Sequence, residues 1–192
     1  LACAEAYMRG IERRIDAGLN AHVPSVASVF ISRWDKATFG KTPVTFNNTL
    51  GIAVATHVYR AYQNVLLSDR MQRLMNFGAR PQRLLWGSTG TKDPTAPETL
   101  YVEALAAPNT INTMPEATLT AFADHGKVDG SLMQEMRHAE EVISLFATCG
   151  FAYHELAERL QHEGVEDFVT SWNSLMDVIR KRCAAIGNRT PV

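Results

Sequence analysis

With 192 residues, 46 % of them hydrophobic, the chain is long enough to bury one sizeable core. Its 19 basic and 20 acidic side chains leave a net charge of −1, which gives no electrostatic footprint for nucleic acid or for an anionic membrane surface. No apolar run approaches the roughly 18 to 20 residues of a membrane span.

The opening residues, Leu1-Ala-Cys-Ala-Glu-Ala-Tyr-Met, lack the basic and apolar regions of a signal peptide and read as the middle of a helix. A fragment, or a chain that begins where order begins, is therefore expected. Residues 1–17 form the end of an exposed helix with Tyr7, Ile11 and Ile15 on one face, closed near Gly18. Val26–Ile31 is a continuous apolar strand that runs into Ser32-Arg33-Trp34-Asp35. An irregular connection from Lys36 to Thr49 follows. The spacing of Ala55, Val58, Tyr59, Tyr62, Val65 and Leu66 predicts a helix from Gly51 to about Phe77, ended by Gly78.

Leu84-Leu85-Trp86 is the short apolar run of a doubly buried parallel strand, and it breaks into Gly87-Ser88-Thr89-Gly90-Thr91-Lys92. A short helix at Leu100–Leu105, a strand at Thr110-Ile111-Asn112 and a helix from Pro115-Glu116 to Gly126 come next. Ser131 to Gln134 has the spacing of a capping box for a helix that ends at Gly150. Two helices complete the chain, from Phe151 to His162 and from Val165 to Ile186. The second carries a stripe of Val165, Phe168, Trp172, Leu175, Ile179 and Ile186 that reads as packing surface, and Tyr59, Tyr62 and Trp172 read as core.

Strand–helix alternation of this kind implies an α/β fold with a parallel sheet and right-handed crossovers. Three strands cannot close an eight-stranded barrel, which usually takes about 250 residues. The expected architecture is a single partial-barrel domain over residues 1–192, with residues 127–186 as appended C-terminal helices. Cys3, Cys149 and Cys183 are odd in number and widely spaced, as small buried hydrophobes in a reducing cytoplasm would be.

Two strand ends carry groups suited to an anion. Arg33 can fork two N–H groups onto a phosphate while the Ser32 hydroxyl adds a third bond; the alternative is an arginine closing the strand against a local partner such as Asp35. Ser88, Thr89, Gly90, Thr91 and Lys92 sit at the corresponding end of the next strand, the face where barrel enzymes place their active groups. Lys92 is also a conceivable imine-forming nucleophile. Such lysines are normally desolvated, whereas Lys92 lies among polar residues beside Asp93, so anion binding or plain solvation suits it better. Gly40-Lys41-Thr42 resembles the end of a P-loop, but Asp35 occupies the place of the first glycine. His154, Glu158 and His162 line one helix face and read as solvated surface, with no metal. Asn47-Asn48-Thr49 and Asn188-Arg189-Thr190 match a glycosylation triplet without a secretory context.

Beyond these local readings, Glu5–Gly18, Val26–Asp35, Arg80–Pro94, Leu100–Pro108 and Thr110–Gly126 closely resemble the long bacterial form of transaldolase, a resemblance covering about residues 1–186. It implies a (β/α)8 aldolase barrel, the TIM barrel, of which this chain supplies the C-terminal part: about strands six to eight plus the C-terminal helices. It also implies a cytoplasmic enzyme of the pentose phosphate pathway that needs no cofactor. Such an enzyme transfers a dihydroxyacetone unit from sedoheptulose 7-phosphate to glyceraldehyde 3-phosphate through a lysine Schiff base. Within that resemblance, the phosphate-binding serine and arginine map onto Ser32 and Arg33, and the cation after strand seven onto Lys92, with Ser88 beside it. The Schiff-base lysine, the catalytic aspartate and the assisting glutamate belong to strands four, one and three, so no catalytic residue is expected in this chain. Its partners would be sugar phosphates and the N-terminal half of the barrel, from the same polypeptide or a second chain, with homo-oligomerisation left open. A non-catalytic sugar-phosphate-binding or partner-binding half-barrel and an aldolase using Lys92 itself are the competing readings.

Overall fold

The computed structural model describes residues 1–128, 130, 132 and 138–187. The capping box at Ser131–Gln134 and the triplet at Asn188 fall largely outside them. A first compact unit spans Leu1–Phe151 and a second Ala152–Val192.

In the first unit, three parallel strands lie in the order β1 (Val26–Phe30), β2 (Arg83–Gly87), β3 (Thr110–Asn112). Phe30 pairs with Gly87 and Trp86 with Asn112. The ladder runs one step past the strands, because the Ile31 and Ser32 amides donate to the Gly87 and Ser88 carbonyls at 3.0 Å. The carboxyl ends of all three strands therefore lie along one edge, as the alternation predicts.

One face of the sheet is covered by α3 (Leu50–Leu67) and α5 (Leu100–Ala104). Ile31, Leu84 and Trp86 pack there with Ala55, Tyr59, Tyr62, Tyr101, Leu105 and Leu132. Trp86 is fully buried, and its indole N–H donates to the Leu105 carbonyl at 3.1 Å. Tyr59 and Tyr62 are core, as expected. The opposite face is not doubly buried: Val26 and Ser28 are exposed, and Phe30, Leu85 and Ile111 only partly covered. Parallel sheets normally bury both faces, whereas this one is only partly covered by the described residues.

A second core joins α1 (Ala2–Asp16) to α4 (Asp69–Asn76) through Met8, Ile11, Met71 and Leu74. Arg70 locks the pair, gripping Glu12 with Nε and Nη2 at 2.6 and 2.8 Å and Glu5 with Nη1 at 2.5 Å. The helix predicted to run unbroken to Phe77 stops at Leu67. Ser68 turns to extended backbone, and its hydroxyl accepts from the Met71 amide, so a serine that fits the helical period acts instead as the N-cap of α4. The predicted connection after Asp35 also contains more structure than its sequence suggests, with α2 (Ser32–Thr38) and a 3₁₀ turn at Val44–Phe46. Two further helices are α6 (Glu116–His125) and α7 (Ala139–Thr148), and Phe146 of α7 stacks in a tilted pair with Phe46 at 5.4 Å.

The second unit is one continuous helix, α8 (Tyr153–Gly187), rather than the two predicted, because Gly164 weakens a helix interior without stopping it. The stripe from Val165 to Ile186 is exposed, and Trp172, read from sequence as core, is 62 % accessible. The periodicity states that a face needs cover but cannot state what covers it. Cys3 and Cys183 are likewise exposed and Cys149 half-buried, all three as free thiols, so their helical spacing alone does not bury them as expected. No helix among the described residues is long and apolar enough to cross a membrane.

Candidate functional site at the carboxyl ends of the strands

Ser32 leaves β1 and begins α2, and it is almost fully buried. Its hydroxyl meets the Ser88 hydroxyl at 2.9 Å, so the two serines singled out from sequence are in direct contact across 56 residues of chain. Thr89, also buried, continues the lacing to β3: its hydroxyl lies 2.8 Å from Asn112 Oδ1 and 3.0 Å from the Thr113 carbonyl. A row of hydroxyls thus crosses three strand ends. The sequence places Thr89 in this loop but gives it no partner, and it gives Asn112 no role, because each gains its meaning from the other.

Ser88 holds a left-handed backbone, φ 54°. For a residue with a Cβ this costs on the order of 1 kcal/mol, a strain that characteristically sits at functional turns. Glycine at 88 removes both the strain and the hydroxyl, whereas alanine removes only the hydroxyl. Ser88→Gly is therefore expected to be more stable than Ser88→Ala by about 1 kcal/mol in urea unfolding. The reverse order would show that the turn is relaxed.

Arg33 is half-buried, with its guanidinium carbon 5.0 Å from the centre of the Phe30 ring. This cation–π contact holds the stem of the side chain at the end of β1. Phe30 in turn lies against Gly87, where a Cβ would come within 2.8 Å of the ring. Lys92 is exposed, further along the loop that starts at Ser88. Its neighbour Asp93 accepts from Asn48 at 2.8 Å and from the Thr95 amide and hydroxyl at 2.9 and 2.6 Å. The Thr95 bonds first, then Asn48, hold the Asp93 carboxyl below its usual range. The structure joins Ser32 to Ser88, carries Arg33 directly after Ser32 at the start of α2, and leaves Lys92 exposed on the loop that starts at Ser88.

Every lysine, at 36, 41, 92, 127 and 181, is exposed. None is enclosed among apolar side chains, as an imine-forming lysine usually is. His154, Glu158 and His162 are exposed as well.

Asp35, considered from sequence only as a local partner for Arg33, is buried at the inner face of α2. One carboxylate oxygen accepts from the Leu50 and Gly51 amides at 3.0 and 3.2 Å, and the other from Gly51 at 3.1 Å and the Tyr101 hydroxyl at 2.8 Å. Burial pushes its pKa up to about 6, the bonds from Tyr101 and the two amides opposing without cancelling. Burial, then the Asp35 charge, pushes the Tyr101 hydroxyl up too.

The sign follows directly. The folded state binds a proton on Asp35 more tightly than the unfolded chain, whose carboxyl titrates near ~4. Its favourable contribution is complete below that pH and is lost as pH rises through about 6. Asp35→Asn should abolish this dependence. The stability of the parent relative to Asp35→Asn is expected to fall by up to about 3 kcal/mol between pH 4 and pH 7. A difference that is flat, or grows with pH, would mean that the bonds hold the carboxylate ionised.

The sequence of the chain resembles those of known proteins along most of its length. The family profile described as "Transaldolase/Fructose-6-phosphate aldolase" matches residues 1–179. The chain is 43 % identical over 190 residues to a transaldolase of Parafrankia sp. (strain EAN1pec), an alignment covering 94 % of this chain and 52 % of that protein. It is 40 % identical to the transaldolase of Frankia alni over 97 % of this chain and 53 % of the relative. For the transaldolase of Thermobifida fusca it is 39 % identical, over 96 % and 52 %. The chain spans about half the length of the curated relatives it matches. By its sequence along residues 1–179, this chain belongs to the transaldolase/fructose-6-phosphate aldolase family.

Proposed function

We propose that this chain carries the phosphate-holding end of a transaldolase active site within the C-terminal part of a (β/α)8 barrel. The observation that carries this reading is the hydroxyl pair Ser32–Ser88, with Arg33 beside it, at the carboxyl ends of adjacent parallel strands in a chain of this family. Arg33 supplies a charge-assisted fork to the substrate phosphate, Ser88 a hydroxyl oriented by Ser32, and Lys92 a flexible second charge.

The reaction is transfer of a dihydroxyacetone unit from sedoheptulose 7-phosphate to glyceraldehyde 3-phosphate in the cytoplasmic pentose phosphate pathway. A lysine amine condenses with the ketose carbonyl, losing water to give an imine. The retro-aldol step expels an aldose phosphate and leaves an enamine, which attacks the acceptor aldehyde; water then hydrolyses the new imine. Holding the distant phosphate orients the reacting carbons without touching them. The exposure of all five lysines supports a Schiff-base lysine supplied by the remaining half of the barrel. The outer edge of β1, which pairs with no further strand among the described residues, and the partly covered sheet face support the same reading, as surfaces for that half to meet.

The same exposure favours one alternative for the chain on its own, a half-barrel that binds sugar phosphate without turnover. Purified residues 1–192 should show no transaldolase activity, and borohydride with sedoheptulose 7-phosphate should leave no adduct on Lys92 by mass spectrometry. Turnover abolished by Lys92→Ala, with the adduct on Lys92, would instead make the loop lysine the nucleophile.

A further inference from the structure

Asp35 ties together three segments far apart in sequence. It stands on α2, which starts with Ser32 and Arg33; it accepts from the first amides of α3; and it accepts from Tyr101 of α5, the helix that follows the Ser88–Lys92 loop. Helix starts are ordinarily capped from within the preceding few residues. Here Thr49, at the N-cap position, gives no cap bond and turns its hydroxyl to the Phe46 carbonyl at 2.8 Å. The task falls to a carboxylate 15 residues upstream, which converts a local cap into a tether between helices.

The fit is close. A Cβ on Gly51 would come within 2.5 Å of Asp35 Oδ2 and 2.9 Å of the Ile31 carbonyl, so only glycine lets α3 seat against the end of β1. Seven residues of helix hold no fixed direction by themselves. Ser32 and Asp35, three apart, share the buried face of α2 and pin it at two points, to Ser88 and to Tyr101. Arg33, half-buried and directly after Ser32, is carried on the same short helix, so the pinning of α2 sets where its stem starts before the Phe30 contact holds it.

We infer that Asp35 is the positioning residue of the phosphate site, acting through Tyr101 and the α3 amides to fix the orientation of α2 and so the reach of Arg33. The inference rests on the phosphate-binding reading of Arg33 given above.

The test uses the full-length polypeptide and compares Tyr101→Phe, Asp35→Asn and Asp35→Ala with Arg33→Ala. KM and kcat are measured for sedoheptulose 7-phosphate and for unphosphorylated sedoheptulose, with inorganic phosphate as the competing inhibitor. Tyr101→Phe removes one bond of the tether and is expected to raise KM for the phosphorylated ketose and the Ki of phosphate about 5-fold. kcat and the unphosphorylated reaction should stay within about 2-fold. Asp35→Ala should exceed this, and Asp35→Asn, which keeps an acceptor for the amides, should restore most of the loss. In an Arg33→Ala background the Tyr101→Phe effect should disappear, because both act on one contact.

Parent-like KM and Ki in both Tyr101→Phe and Asp35→Asn, while Arg33→Ala raises them, would overturn the inference and leave the phosphate site standing. Equal losses on both substrates in the tether variants would also overturn it. If Arg33→Ala itself fails to distinguish the substrates, the phosphate reading falls and the inference with it. Should Asp35→Ala not fold, the two conservative variants decide.

Discussion

Replacing Arg33 by alanine is expected to lower kcat/KM for phosphorylated substrates by about 30- to 150-fold in the full-length polypeptide, mostly through KM. A charge-assisted, two-pronged contact to phosphate is worth roughly 2–3 kcal/mol, and each ~1.4 kcal/mol is a factor of ten. In the proposed reading the contact is to the remote end of the substrate. Imine formation with an unphosphorylated ketose should therefore change much less, which borohydride trapping would measure. Arg33→Lys should fall between: it keeps the charge over Phe30 but loses the planar fork. Lys92→Ala should act in the same direction and more weakly, since Lys92 is an exposed, flexible point charge. Equal losses with phosphorylated and unphosphorylated substrates would make Arg33 a structural residue at the end of β1.

The largest effect on stability is expected at Trp86. This side chain is fully buried on the central strand, in the core that includes Tyr59, Tyr62, Tyr101 and Leu105. Trp86→Ala should cost about 3–5 kcal/mol through lost transfer free energy and the cavity left behind. It also removes the donor to the Leu105 carbonyl, leaving a buried acceptor unmatched. Domains are stable by about 5–15 kcal/mol, so this change should bring the chain close to unfolding at ordinary temperature. Urea denaturation followed by far-UV circular dichroism checks it. Trp86→Phe keeps most of the volume and should lose about 1–2 kcal/mol, largely the hydrogen bond. A midpoint shift for Trp86→Ala no larger than for Trp86→Phe would mean that the core refills the site. Because Trp86 is followed directly by Gly87 and Ser88, loss of its packing should loosen the candidate site before the whole unit unfolds.

The sequence by itself determined which segments become parallel strands and that their carboxyl ends share one edge. Those properties rest on local signals: apolar runs at 26–31 and 84–86, a break into glycine and small hydroxyls, and intervening stretches with a helical period. It also put Ser32, Arg33, Ser88 and Lys92 on that edge, since each follows its strand within a few residues. The tertiary structure alone decided that Ser32 and Ser88 touch, and that Asp35 turns inward to Tyr101, 66 residues away. A side chain's partner across such a separation depends on how the intervening helices pack, and no short-range pattern encodes it. The same reason accounts for Trp172, Cys3 and Cys183. Their spacing defines a face of a helix, but whether that face meets a neighbour or solvent is settled by what else the fold brings beside it. At Ser68 the two levels compete directly: periodicity would continue the helix, and the serine hydroxyl ends it by capping the next one, because the apolar face of α4 is needed on α1 rather than along α3.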